Sequence, residues 1–261
     1  VPLREVLTAR RLAMPRELNA AIERAMVMLR LLTHGDQGLA VFQGVGDIAA
    51  RPVETLFERD AVSGRPLSHA SHSGYARLNH GASVVVVDCG EPSLCDSRLA
   101  FEFSSGADRV VVSCGYPAAT TEDWRIAAAC AAAHSTLDIE GDGSVVPLGV
   151  PGRGRNRPVG SVACEVTSSP LGSQFRGISS GYAVACGIHH RRELFLTADG
   201  TGLRGEDSFA KAGDLGTPWS LGRFCLRFHL YPSVRWENPV GKGEVDLVLP
   251  SGEIWHFEAR G

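Results

Sequence analysis

The sequence lacks long apolar runs and a charge excess of one sign. No run of about eighteen consecutive apolar residues occurs, so no segment has the composition of a membrane-spanning helix. The formal net charge is −3 over 261 residues, which gives no long-range electrostatic reason to expect nucleic acid or an anionic membrane as partner. Hydrophobic residues make up 44% and charged residues 21%, an ordinary composition for a chain that can form one large or two modest domains.

The cysteines show no pairing motif. There are seven of them, an odd number, and none forms a Cys-x-x-Cys pair, which argues against a zinc ribbon or a thioredoxin-type site. Several lie in apolar stretches such as VVVVDCG and FCLRF, so we expect buried structural thiols rather than disulfides. The N terminus has no hydrophobic signal core, and the chain starts with Val. We interpret it as a mature, trimmed or partial chain.

Common nucleotide and hydrolase motifs are also missing. The sequence contains neither a P-loop nor a Gly-x-Ser-x-Gly elbow, and VFQGVGD has too few glycines for a dinucleotide site. The segment ADGTGLRGEDSF resembles a calcium loop only superficially, because Asp199, Glu206 and Asp207 do not follow the EF-hand positions.

Two hydrophobic patterns divide the chain. Apolar residues recur at spacings of three and four over residues 15–34, which predicts an amphipathic helix, and a second short helix is expected around residues 48–60. From about residue 72, short stretches rich in β-branched and aromatic residues alternate with turn residues, a pattern typical of an antiparallel sandwich or barrel. We predict a mainly β fold, an antiparallel β-sandwich preceded by a short α-helical segment, with domain limits at 1–64 and 65–261.

A single histidine, His134, ends the small-residue run in AAACAAAHSTLDIEG. At the start of a strand its ring could face a cleft, where it would bind a metal or exchange a proton near neutral pH. Alternatively, it packs at the strand end and bonds a backbone carbonyl. The sequence does not supply the partners that a working histidine needs, so both interpretations stay open.

Other basic residues have a similar pair of interpretations. His69 and His72, with His80 near by, form a His-x-x-His pattern that could bind a metal. Because it has no third ligand at fixed spacing, a polar connector is the favoured interpretation. In IHHRREL, successive strand residues point to opposite faces, so one of His189 and His190 shares a face with one of Arg191 and Arg192. That face could receive an acidic substrate or be a solvated, charge-rich surface.

The loop arginines Arg153, Arg155 and Arg157 allow the same two interpretations, an acidic ligand or a solvated loop.

Three groups of segments, taken together, resemble the C-terminal β-sandwich half of heparinase II/III-like proteins, a group of bacterial polysaccharide lyases. They occur in the family order over roughly residues 65–261: SGYARLNHGASVVVVDCG; then LAFEFSSGADRVVVSCG with WRIAAACAAAHSTLDIEG; then HHRRELFLTADGTGLRGEDSF with LRFHLYPSV. HGDQGLAVFQG and the helix before it look like the end of the family's N-terminal α/α-toroid. The resemblance implies that most of this toroid lies outside the chain.

The resemblance also implies a chemistry. These lyases cut a glycosidic bond next to a uronic acid by β-elimination: a base removes the C5 proton, a positive group stabilises the resulting charge, and an acid serves the leaving oxygen. The base and acid come largely from the toroid, with a histidine added from the sandwich. The family pattern places His134 at an HNT-type strand start, where the histidine binds zinc in some relatives. Tyr75 matches a structural position that opens the sandwich.

The sequence departs from the family pattern at the other zinc positions. Ser97 or Arg98 stands where relatives have a histidine, and Ser113 stands where they have an aspartate. Serine is a poor zinc ligand, so the site looks degenerate, and we expect no cofactor and no stoichiometric zinc. The stretch EPSLCDSR also lacks the sandwich's catalytic histidine. What remains is His134 as a candidate catalytic residue, and Arg125, Arg191 and Arg192 as candidates for binding an anionic glycan.

Two functions are therefore open. The first is a heparinase II/III-like lyase acting on an acidic polysaccharide, for which this chain supplies the sandwich without the full catalytic set and acts together with the toroid. The second is a non-catalytic carbohydrate-binding or structural β-sandwich. The family resemblance favours the periplasm or cell envelope as location. It does not decide between a glycosaminoglycan, alginate and a bacterial exopolysaccharide.

Overall fold

The computed structural model describes residues 2–44, 46, 50–58, 65–92, 94–115, 121–139, 160–213, 223–241 and 243–261. The helices are α1 Pro2–Ala9, α2 Arg16–Leu32, α3 Ala50–Glu58, α4 Glu122–Ala129 and α5 Ala183–Cys186, with a 3-10 turn at Ala131–Ala133. The strands are β1 His69–Ala70, β2 Tyr75–His80, β3 Ser83–Asp88, β4 Phe101–Ser105, β5 Asp108–Val112, β6 Leu137–Ile139, β7 Val162–Ser169, β8 Gly172–Ser179, β9 Ile188–Thr197, β10 Leu203–Lys211, β11 Phe224–Leu226, β12 His229–Leu230, β13 Arg235–Gly241, β14 Glu244–Val248 and β15 Ile254–Glu258.

The strands form antiparallel sheets, and the predicted fold class is confirmed. A six-stranded sheet has the order β1-β2-β3-β4-β5-β12, and a four-stranded sheet has the order β10-β9-β8-β7. Strands β13-β14-β15 form a third sheet, and β11 pairs with β6. The main core lies between these layers and includes Val85, Phe103, Phe175, Leu194 and Leu247. Since successive strand residues point to opposite faces, each core strand turns its alternate side chains into this layer.

The strongest sequence patterns correspond to real elements. The predicted helix over residues 15–34 is α2, and the valine run of residues 84–87 lies in β3, whose residues are all buried. The turn between β14 and β15 contains Gly252, whose φ of +88° suits a residue without a side chain. Helix α2 stops at Leu32, and Thr33 is its C-cap.

Several elements were not predicted. Strand β8, GSQFRGIS, contains two glycines and few β-branched residues, yet it pairs with β7 and β9 along its whole length. Helix α4, Glu122–Ala129, was not predicted, although its last residues lie in the alanine-rich run before His134. In β8, pairing with both neighbouring strands outweighs a weak local preference. None of the described helices combines the length and hydropathy that crossing a bilayer requires.

Candidate functional site

The outer side of the six-stranded sheet is covered by the segment that follows α2. In β4, Phe103 points into the main core, while Glu102 and Ser104 point to the other side, and all are buried. Residues 33–43 lie over these polar groups. We call the covered surface of β2–β5, which includes Arg77, Asp88, Glu102, Ser104 and Arg109, the docking face.

Glu102 lies at the centre of the docking face and is fully buried. Its carboxylate accepts hydrogen bonds from the backbone N–H of Val41 at 3.0 Å and of Ser113 at 3.3 Å. His34 Nε2 lies 3.2 Å from the same carboxylate, and His34 Nδ1 lies 3.0 Å from the Ser104 hydroxyl. Because a buried charge is tolerated only when its hydrogen bonds are satisfied, these contacts join residues 34–41 to the sheet.

A second ion pair ties the same segment to β5. Arg109 donates to both carboxylate oxygens of Asp36, at 2.8 and 3.3 Å, and to the Leu39 carbonyl at 3.1 Å. Burial alone would raise the pKa of Asp36, but Arg109 outweighs it and lowers the pKa. A side chain at Gly35 would lie 1.7 Å from the Gly106 carbonyl oxygen. Glycine at this position therefore allows the segment to approach the β4–β5 turn closely.

Asp88 forms a third set of polar contacts on the docking face. Its carboxylate accepts from the Gln43 side-chain amide at 2.8 Å and from the Ser97 hydroxyl at 2.6 Å. Burial raises the pKa of Asp88 to about 6, and the two hydrogen bonds only partly oppose the shift. Ser97 stands at one of the positions where relatives have a zinc ligand. Here its hydrogen bond to Asp88 helps to hold the segment after α2 against the sheet.

Arg77 is expected to anchor the end of α2. Its guanidinium donates to the carbonyls of Leu31 at 2.9 Å and Thr33 at 2.6 Å, and burial lowers its pKa to about 10. We predict that Arg77→Met lowers the free energy of unfolding by about 3 kcal/mol, since the charged donor to two buried carbonyls is lost. Amide hydrogen exchange should accelerate in the last turn of α2.

The exposed Arg24 on α2 provides the matched control, because it offers the same side chain without burial. Arg24→Met should change stability by less than about 0.5 kcal/mol. Equal exchange rates for residues 28–34 in both variants would contradict the anchoring role of Arg77.

His134 lies after the 3-10 turn, three residues before β6, and only 1% of it is exposed. Neither ring nitrogen forms a hydrogen bond of normal geometry, although the Ala128 carbonyl is close enough to favour the protonated ring. Burial lowers the pKa of His134 to about 4; Glu102 opposes this shift and His229 adds to it. At neutral pH the ring is therefore uncharged and enclosed.

The residues around His134 do not fit the zinc that the family resemblance implies. Within the described part of the chain, no three His, Cys, Asp or Glu side chains converge on this ring. Ser113 is buried beside Glu102 and its hydroxyl has no hydrogen-bond partner, but a hydroxyl is not a ligand that zinc prefers. Arg98 instead forms a buried ion pair with Asp96 at 2.6 Å.

Arg192 is fully buried, while its neighbour Arg191 is exposed. The Arg192 guanidinium binds both carboxylate oxygens of Asp207, at 2.8 and 3.0 Å, and donates to the Leu99 and Ser135 carbonyls at 2.8 Å each. Burial would raise the pKa of Asp207, but Arg192 and His190 outweigh it and lower the pKa to about 2. This bidentate pair joins β9 and β10 to the strand ends around Leu99 and Ser135.

The predicted alternation along β9 is confirmed. His190 and Arg192 share the buried face, and Arg191 lies on the opposite, exposed face. On that exposed face Arg176 lies 3.2 Å from Glu193 and 3.6 Å from Glu165, so the surface carries both signs of charge. Arg191 therefore lies on a solvent-exposed, charge-rich face, which was the second interpretation of the sequence IHHRREL.

The candidate glycan-binding arginines are not brought together. Arg125 is exposed on α4 and Arg191 is exposed on β9, while Arg192 is enclosed. Arg153, Arg155 and Arg157 lie outside the described residues. A role of Arg125, Arg191 and Arg192 in substrate binding stays a prediction.

A cleft of about 340 Å³ opens between the sheets. Phe101, Phe103 and Trp255 line its apolar part, and Glu206 and Glu258 belong to its polar lining. Arg260 and His256 also belong to this lining, so the cleft carries both signs of charge. The charge of its lining therefore does not identify it as a site for a uronic-acid polymer.

Most of the buried polar groups were not predicted from the sequence. Glu102 had a signal, since it is the only charged residue in the otherwise apolar and small stretch LAFEFSS. His34, Asp36 and Gln43 alternate with apolar residues in HGDQGLAVFQG, but their partners lie in distant strands. No spacing rule connects them, because only the sheet order brings them together.

The sequence model of the family described as heparinase II/III-like, C-terminal, matches residues 62–261 of this chain. The chain belongs to the heparinase II/III-like family. The resemblance inferred from the motifs is thus confirmed. A curated relative, FtsZ-localized protein C of Caulobacter vibrioides, is 29% identical over 240 residues, which cover 85% of this chain and 41% of that protein.

Two solved structures share the heparinase-like fold. A heparinase III superposes with a TM-score of 0.66 and 13% identity, covering 89% of this chain and 38% of that one. A mutant heparan sulfate lyase from Pedobacter heparinus superposes with a TM-score of 0.69 and 12% identity, covering 95% and 40%. At these identities the likeness shows the fold alone. The chain spans about two fifths of the length of these relatives.

Proposed function

We propose that this chain is the sandwich part of a polysaccharide lyase that cleaves a uronic-acid-containing polysaccharide by β-elimination. The family match over residues 62–261 carries the proposal. Most of the catalytic groups would come from a toroid domain, to which α2 and the following segment would belong. The contacts of the docking face support this division of the protein into a toroid with most catalytic groups and a sandwich. Through them Glu102, Arg109 and Arg77 hold the segment after α2 against the sheet.

The described residues do not make a complete catalyst. A general base must come within about 3 Å of the proton that it removes, and His134 is 1% exposed. Arg192 is already neutralised by Asp207 and is enclosed. The exposed Arg125 and Arg191 are the cations that we propose as contacts for the acidic polymer, in the periplasm or cell envelope.

A second candidate is a non-catalytic carbohydrate-binding or structural sandwich. The enclosure of His134 favours it, because the one family site histidine on this chain lacks access to a substrate. The name of the relative, FtsZ-localized protein C, says that this protein localises with FtsZ, which supports a role of the present chain at the same location.

The lyase proposal is tested with the longest gene product that includes this chain. Heparin, heparan sulfate, alginate and hyaluronan are added separately, and the ultraviolet absorbance of the unsaturated uronate formed by β-elimination is followed. We expect at least one polymer to give product, because a toroid would supply the missing base and acid.

Absence of product with every polymer, together with a fluorescent fusion of this chain that coincides with FtsZ in Caulobacter vibrioides, would replace the lyase proposal by the second candidate. Product formation together with a diffuse fusion signal would exclude the second candidate.

A further inference from the structure

A cluster of two cysteines and one histidine lies away from His134 and is not used by the proposed chemistry. His69 begins β1, Cys89 follows β3, and Cys164 lies in β7. One ring nitrogen of His69 and the Sγ atoms of Cys89 and Cys164 all lie within 4.8 Å of one another. Among the residues that the structure describes, no other group of three such ligands is this close.

We propose that His69, Cys89 and Cys164 form a binding site for a thiophilic divalent metal ion, with zinc as the physiological ion. In tetrahedral zinc sites the Zn–S and Zn–N distances are about 2.3 and 2.0 Å, which places neighbouring ligand atoms about 3.5–3.8 Å apart. The Cys164 Sγ–His69 Nε2 distance is 3.3 Å. To reach the separations of a tetrahedral zinc site, each ligand atom must move by less than about 1 Å.

The backbone around Cys89 is fixed. The Cys89 N–H donates to the Gly74 carbonyl at 2.8 Å, and a side chain at Gly74 would lie 2.1 Å from the Gly90 Cα. Gly74 has a φ of +71°, so glycine is needed both for the turn and for this approach. The cysteine is thus held by the crossing of two backbone segments rather than by a flexible loop.

Charge balance favours a divalent ion at this place. Cys89 is 4% exposed and belongs to the main apolar core, while His69 and Cys164 are half-buried at its edge. Two thiolates and a neutral imidazole would balance a charge of +2, so the loaded site would place no net charge at the core.

The fourth position would be on the half-buried side, next to His69 and Cys164. A set of three protein ligands with one open position is typical of zinc that binds water or an external ligand, whereas structural zinc usually has four protein ligands. This proposal departs from the sequence-based expectation of no stoichiometric zinc, in which His69 had no further metal ligand at a fixed spacing. The spacing of residues 69, 89 and 164 follows no zinc motif.

The test uses the whole 261-residue chain, prepared with reductant and without chelator. Metal content is measured by mass spectrometry, and the metal-free chain is then titrated with Co²⁺. We expect one zinc ion per chain and, with Co²⁺, a thiolate-to-metal charge-transfer band together with the intense visible bands of tetrahedral cobalt. Added Zn²⁺ should abolish both signals.

His69→Ala and Cys164→Ala are the deciding variants, because both positions are half-buried and the changes are tolerable for folding. Each should weaken metal binding more than about 100-fold, since even outer partners of metal ligands contribute 10–100-fold. Cys225→Ala, at an exposed cysteine, and His134→Ala should keep the metal. Circular dichroism checks that every variant is folded.

Three results would overturn the proposal. One is a chain that has no metal and gives no cobalt spectrum although its thiols are free. Another is a disulfide between Cys89 and Cys164 in the purified protein. The third is metal that survives both deciding variants but is lost in His134→Ala, which would place it at the family position.

Discussion

Arg192→Met is expected to lower the free energy of unfolding by about 3–5 kcal/mol, the cost of leaving a buried charge without its partner. Arg192 is 0% exposed. Its removal takes the charged donor from the Leu99 and Ser135 carbonyls and leaves Asp207 with the His190 ring as its partner. Chemical denaturation at pH 7 measures the effect. If Arg192 served mainly to bind a polyanion, its loss would change binding and leave stability unchanged.

Arg191 gives the matched control for Arg192. It is the next residue in the same strand, has the same side chain, and faces solvent. Arg191→Met should change stability by less than about 0.5 kcal/mol. The double variant Arg192→Met/Asp207→Leu should be more stable than Arg192→Met alone, since no unpaired buried carboxylate remains. Equal, small effects of Arg191→Met and Arg192→Met would contradict the structural role of the Arg192–Asp207 pair.

His134 should make the protein less stable in mild acid. Its folded pKa of about 4 lies below the value of 6.5 for an unperturbed histidine. The unfolded chain therefore binds a proton that the folded chain does not, and the stability present above pH 6.5 is lost as the pH falls towards 4. Between pH 7 and pH 4.5 the loss should be about 2 kcal/mol. His134→Leu should remove this loss.

Asp88 should have the opposite effect on stability in mild acid. It is therefore a control for the direction of the pH dependence. Its folded pKa of about 6 lies above the usual 3.8, so the folded chain binds the extra proton and gains stability as the pH falls from 6 to 4. Asp88→Asn should remove a gain of about 2 kcal/mol over the same interval. Denaturation of the wild type and both variants at pH 7 and pH 4.5 measures these differences. Parallel pH profiles for all three proteins would contradict the burial of His134 and Asp88.

The sequence was sufficient for the fold class because the strongest signals are local. The valine run of β3 and the apolar stripe of α2 each identify an element without reference to the rest of the chain. Strand β8 has no such signal. Its inward residues include Phe175 and Gly177, and it exists as a strand because β7 and β9 pair with it on both sides.

The candidate site was less predictable because burial depends on distant segments. Alternation correctly separated Arg191 from Arg192, but it did not indicate which of them would be enclosed. Pairing of β9 with β10 places Asp207 directly opposite Arg192, and the segment containing Asp207 was not predicted as a strand. Similarly, one cysteine, Cys89, is buried as expected from VVVVDCG, whereas Cys225 of FCLRF is exposed on the short strand β11.

We propose that this part of a heparinase II/III-like protein provides a scaffold and not the complete chemistry. The most direct test incubates the chain alone, as wild type and as His134→Ala, with the four acidic polysaccharides, and follows the absorbance of unsaturated uronate. We predict no product from either protein, because His134 is neutral and enclosed and Arg192 is already paired. Product from the wild-type chain that disappears in His134→Ala would contradict the claim and make His134 a catalytic residue.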